Sequence, residues 1–138
     1  MNRPSRTGVL PTDADYRRLL SLRDGLRRFQ HWSEVQAKDA GLTAAQHQLL
    51  LAIRGNGSPP SVGDVAAHLL LKHHSAVELV DRAERAGLVR RAPDPADQRV
   101  VRLALTEDAE RRLAALATAH LEQLARLRPD LERLWADL

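Results

Sequence analysis

The sequence contains no cysteine. Disulfides, thiolate metal sites and thiol redox switches are therefore excluded. Aromatics are almost as scarce, with Tyr16, Phe29, Trp32 and Trp135 the full set in 138 residues. Leucine and alanine, both strong helix formers, must fill the core instead. No purely apolar run is longer than Leu49–Ile53. Such runs cannot cross a bilayer, and none near the N-terminus reads as a secretory signal, so a cytoplasmic protein without a membrane partner is expected. Lysine occurs only at Lys38 and Lys72, and the formal net charge is +3. There is no glycine-rich phosphate loop and no G-x-S-x-G elbow. His73-His74-Ser75 has no acid placed to orient a base. Among six histidines no pair has H-x-x-H or H-x-x-x-H spacing. No enzyme, no resident metal and no other cofactor is expected.

What remains is the punctuation of a single helical domain spanning 1–138. Residues 1–11, with Pro4, Gly8, Pro11 and two arginines, read as a flexible basic tail. From 12 to 40 the apolar positions Tyr16, Leu19, Leu22, Leu26, Phe29 and Trp32 recur at helical steps, and Gly41 stops the helix. Thr43 with Gln46, and Ser61 with Asp64, have capping-box spacing and open two further helices around the Gly55–Pro60 loop. A fourth helix runs from His73 to Ala86 and ends at Gly87. Leu88–Arg91 and Arg99–Leu105 then read as two short strands around a polar tip. Thr106 caps a helix with Glu107 and Asp108 in its first turn, and Pro129 is expected to restart the chain as a last helix.

A short helix, a tight turn, a longer helix and a charged hairpin describe a winged helix-turn-helix. In that arrangement the second helix enters the DNA major groove with its N-terminal residues at the base edges. Those residues are Lys72, His73, His74 and Ser75, with Val77 and Glu78 one turn on, suited to a thymine methyl and a cytosine amine. The hairpin carries Arg90, Arg91, Arg102 and, near its tip, Arg99, suited to a narrow minor groove. Between Arg54 and Arg102 there are eight basic and six acidic side chains. A positive face must therefore come from segregation, with Asp64, Glu78, Asp81 and Glu84 turned away or paired internally.

The stretch Leu79–Arg91 resembles the end of the recognition helix and the first wing strand of the MarR family of bacterial transcription regulators. Asp97-Gln98-Arg99 and the strand ending Leu105-Thr106 resemble that family's wing signature, and Gly41–Gln46 the opening of its second helix. The resemblance extends over about residues 12 to 138. It implies a mainly α fold with a small β-hairpin wing: a winged helix-turn-helix at 43–105, with N- and C-terminal dimerisation helices at 12–40 and 106–138. It also implies a homodimeric repressor on a pseudo-palindromic double-stranded operator, with Asp97 holding the wing and Arg99 reaching DNA. The leucine stripes of the terminal helices, more than one small core can cover, favour a partner chain independently. Lys72–Ser75 departs from the small and hydroxyl residues common in the family, so base preference does not carry over.

Regulators of this family respond to small aromatic or lipophilic anions, to oxidation or to zinc. The missing cysteine removes the oxidation branch. His31, Trp32 and His47 lie where the family places its ligand pocket, and a small ligand, with aromatic acids among the candidates, is the expected effector that lowers DNA affinity. Two other readings are a winged-helix protein-interaction module without DNA binding and a zinc-responsive regulator.

Overall fold

Three helices begin with the same reciprocal cap. In the computed structural model, which describes residues 8–136, Thr12, Thr43 and Ser61 each accept the N–H three residues on, and Asp15, Gln46 and Asp64 accept the cap's own N–H. Each cap is worth about 1 kcal/mol. They open α1 (Asp13–Asp39), α2 (Ala44–Gly55) and α3 (Val62–Leu69). Next come α4 (His73–Arg85), strands β1 (Val89–Pro93) and β2 (Val101–Leu105), and α5 (Glu107–Ala136).

Glycine is needed at Gly41, where φ is +77° and the Arg112 side chain lies 3.1 Å from where a Cβ would stand. Arg112 donates to the carbonyls of Ala40 and Gly41, tying α5 to the α1–α2 turn. The strands pair antiparallel, Val89 opposite Leu105 and Pro93 opposite Val101. Leu103 N–H donates to the Pro60 carbonyl at 2.9 Å, anchoring the hairpin to the loop before α3. The Thr106 hydroxyl donates to the Gly87 carbonyl and accepts from Ala109 N–H, so the start of α5 is fixed to the end of α4.

The core joins Leu49, Leu50 and Ile53 of α2 to Val65 of α3, Val80 and Ala83 of α4, and Val89, Leu103 and Leu105 of the hairpin. The root of α5 adds Ala109, Leu113 and Leu116. The far halves of α1 and α5 lie outside it. Ala37 is the buried residue of α1, while Tyr16, Leu19, Leu20, Leu26, Leu121, Leu124 and Trp135 are exposed.

Pro129 corrects the sequence expectation of a separate last helix: it lies inside a continuous α5. Proline already has helical φ, but inside a helix it loses the bond to the carbonyl four residues back and its ring crowds that carbonyl. That residue, Ala125, is exposed, so water can satisfy the carbonyl. Residues 1–7 of the expected basic tail lie outside the described residues. Val9, Leu10 and Pro11 lie with Leu19, Leu22, Leu134 and Trp135 around a groove of about 760 Å³. Among the described residues no helix is long and apolar enough to cross a membrane.

Candidate nucleic-acid interface

The turn between α3 and α4 sets the head of α4 out from the body. Ala76, Val80 and Ala83 bury one face of this helix. Lys72, His73, His74 and Glu78 are exposed, whereas Ser75 and Val77 are half-buried. Lys72 is the N-cap and contributes no side-chain cap. The first N–H groups of α4 thus keep their partial positive charge beside a lysine and two imidazoles. Among the described residues, Lys72, His73 and His74 have no ion pair with an acid.

The wing is braced by acids that would otherwise dilute that positive face. Arg91 of β1 reaches α4, its Nη2 donating to Asp81 at 2.6 Å and its Nη1 to Glu84 at 2.9 Å. Its guanidinium is held above the usual arginine range, chiefly by the Asp81 hydrogen bond. Arg102 of β2 donates to Asp94 at 2.7 Å and lies 3.8 Å from Asp64 of α3. Asp94 also accepts from the Ala96 and Asp97 N–H groups. Arg102 and these amides hold its carboxyl below the ordinary carboxylate range. Asp64 is likewise held low, first by the Ser61 backbone and then by its hydroxyl. Arg90 is exposed and, among the described residues, has no ion pair.

At the tip, Asp97 accepts from the Arg99 N–H at 3.1 Å and from its guanidinium at 3.0 and 3.1 Å. The bidentate pair keeps the Asp97 carboxyl low and the Arg99 guanidinium high. Arg99 is nevertheless 90% exposed in its side chain. The structure therefore brings Lys72, His73, His74, Arg90 and Arg99 to solvent and turns Arg91 inward. Sequence reasoning placed the wing's support on Asp97 and missed Asp94. The signal was present in Pro93-Asp94-Pro95, since aspartate in a turn commonly caps backbone amides two or three residues on.

The expected ligand residues separate. His31 is exposed. Trp32 and His47 join a cluster with Phe29 and His120, in which Trp32 and His120 are 4.8 Å apart by ring centroid and His47 and His120 4.9 Å. His120 Nδ1 lies 2.7 Å from the Leu116 carbonyl, which can only accept. In the neutral ring Nε2 therefore accepts a hydrogen bond from the Ser33 hydroxyl, also at 2.7 Å. Sequence reasoning assigned no role to His120. Its place in the stripe Ala109, Leu113, Leu116, His120 marked a polar group on a core-facing side. Among the described residues no three histidine or carboxylate side chains come together as a metal cluster.

Residues 40–100 match the MarR family model. The helix-turn-helix-type transcriptional regulator YsmB of Bacillus subtilis (strain 168) is 34% identical over 64 residues, which is 46% of this chain and 44% of that protein. The chain thus aligns with less than half the length of this relative. Rhodococcus jostii RHA1 CouR, whose structure holds p-coumaroyl-CoA, superposes with a TM-score of 0.66 at 27% identity, covering 78% of this chain and 74% of CouR. A mutant of S. aureus MepR bound to an oligodeoxyribonucleotide shares the fold, with TM-score 0.65, 18% identity and coverage of 84% and 88%. The capped helix pair and the braced hairpin thus have the winged helix-turn-helix fold of these structures, and the segment that carries them, residues 40–100, is similar to the MarR family.

Proposed function

We propose that the protein is a sequence-specific double-stranded DNA-binding transcription regulator, a homodimeric repressor rather than an enzyme. The observation that carries this reading is the division of charge. Asp64, Asp81, Glu84 and Asp94 are engaged by Arg91 and Arg102 inside the wing framework. Lys72, His73, His74, Arg90 and Arg99 are left on the outside, and Glu78, expected to be turned away or paired, is the exposed acid of α4 without an ion pair among the described residues. The head of α4 enters the major groove, with Lys72 and the imidazoles donating to phosphate oxygens or purine N7 and O6. Arg99 reaches the adjacent minor groove, exchanging its Asp97 partner for the stronger negative potential there. Arg91 acts as a strut that sets the wing angle against α4.

Dimerisation follows from the apolar residues exposed on α1 and α5, and a second copy covers them. The dimer presents two α4 helices to a pseudo-palindromic operator. An aromatic acid or its thioester lowers DNA affinity by binding near Trp32 and His47, at the junction of the reading unit with the long helices. CouR with its bound p-coumaroyl-CoA supports this chemical class.

The test is fluorescence anisotropy with duplexes from upstream of the protein's own gene, at several salt concentrations and against an unrelated duplex. Specific binding roughly a thousandfold or more tighter than non-specific binding supports the reading. Equal affinity for all duplexes overturns it. A screen of aromatic acids by thermal shift and by release of the duplex tests the effector.

A further inference from the structure

Leu70 is the one non-glycine residue with positive φ among the described residues, at φ 55° and ψ 41°. It is also 93% exposed. Both features are unfavourable, since left-handed backbone crowds the Cβ and an isobutyl group in water gains nothing from folding. The turn itself requires the left-handed conformation: the N–H of Leu70 and that of Leu71 both donate to the Ala66 carbonyl as α3 ends. Glycine would meet this requirement without strain. Turn geometry thus explains the position but not the leucine.

The surroundings narrow what the side chain meets. Leu70 stands two residues before Lys72, followed by the exposed His73 and His74. The helix it ends packs on α2, α4 and β2, within the reading unit. These neighbours suit a polyanion, and the apolar group that B-form DNA offers in its major groove is the thymine 5-methyl. We infer that Leu70 is a specificity-determining residue, its isobutyl group packing on the 5-methyl of one thymine in each half-site. This rests on the DNA-binding reading above.

The probe is a duplex selected by the wild-type protein from a randomised pool, with each thymine replaced in turn by deoxyuridine. That exchange removes the methyl and nothing else. One position per half-site should weaken wild-type binding roughly three- to tenfold. The same exchange should be silent for Leu70→Gly and Leu70→Asn, which keep the left-handed turn. Both variants should unfold at or above the wild-type midpoint, separating lost contact from lost fold. Undiminished affinity of the variants for the thymine duplex would overturn the assignment. So would an equal deoxyuridine penalty in variant and wild type. Recovery of no preferred sequence would instead remove the DNA-binding reading, and this inference with it.

Discussion

The imidazoles of His47 and His120 face each other 4.9 Å apart, one from α2 and the other from α5. His47 is 7% exposed. His120 is oriented by the Leu116 carbonyl and the Ser33 hydroxyl, and the pair is walled by Phe29 and Trp32. The reading unit and the long helices thus meet through a pair of groups that cannot both become charged without cost.

This fixes the sign of a pH dependence. Burial lowers the His47 pKa below 6.5, and the charge of His120 pushes it the same way. The unfolded chain takes up a proton near pH 6.5 that the folded chain refuses until lower pH. The resulting stability is complete above the unfolded value and declines as pH falls through it toward the folded value. Asp64, Asp94 and Asp97, held low, stay ionised across that window. Urea midpoints should fall between about pH 7.5 and 5.5, and His47→Gln should flatten the decline. A wild-type midpoint that is constant over this range would rule out the linkage.

Arg91→Ala removes the tie from β1 to α4 and takes the guanidinium partner from Asp81 and Glu84 of α4. The pair is partly exposed, so the expected loss of stability is only about 1 kcal/mol. DNA affinity should drop with little change in salt slope, because no phosphate contact is lost. A slope change as large as that of a contact residue would contradict the strut role.

Arg99→Ala should weaken binding to all duplexes alike and lower the salt slope by about one unit per half-site. Anisotropy titrations at three or more salt concentrations measure this. An unchanged slope would exclude Arg99 as a phosphate or groove contact.

Leu121→Glu with Leu124→Glu places two charges on the apolar face of α5. Sedimentation should shift from dimer to monomer, and DNA affinity should fall together with it. Helical content should be retained, since both positions are exposed in the single chain. A wild-type protein that sediments as a monomer at micromolar concentration would disprove the proposed interface.

Most helix boundaries were readable because their causes are local. Thr43 with Gln46, Ser61 with Asp64, and Gly41 and Gly87 act within a few residues of themselves. Pro129 misled because its penalty depends on whether the freed carbonyl can reach water, which sequence does not state. The outward positions of Lys72, His73 and Arg99 followed from motif and helical phase. The inward turn of Arg91 depended on Asp81 and Glu84, which it meets only after the chain reverses from α4 into β1. The Ser33–His120 bond joins residues 87 apart in sequence, and no periodicity announces it. Leu70 stayed hidden because its side chain gives no hint of a left-handed turn.

The continuity of α5 has a mechanical consequence. Thirty residues of unbroken helix make a rod about 45 Å long, clamped at one end to the wing through Thr106 and free of the core at the other. A tilt of roughly 5° at its root would displace the far end by about 4 Å, using the same helical rise. In a dimer joined at those far ends, small movements around His47 and His120 become a change in the separation of the two reading heads. DNA offers its grooves at a fixed pitch of about 34 Å, so in the proposed dimer the rod would convert a local repacking into a gauge that either matches the operator or misses it.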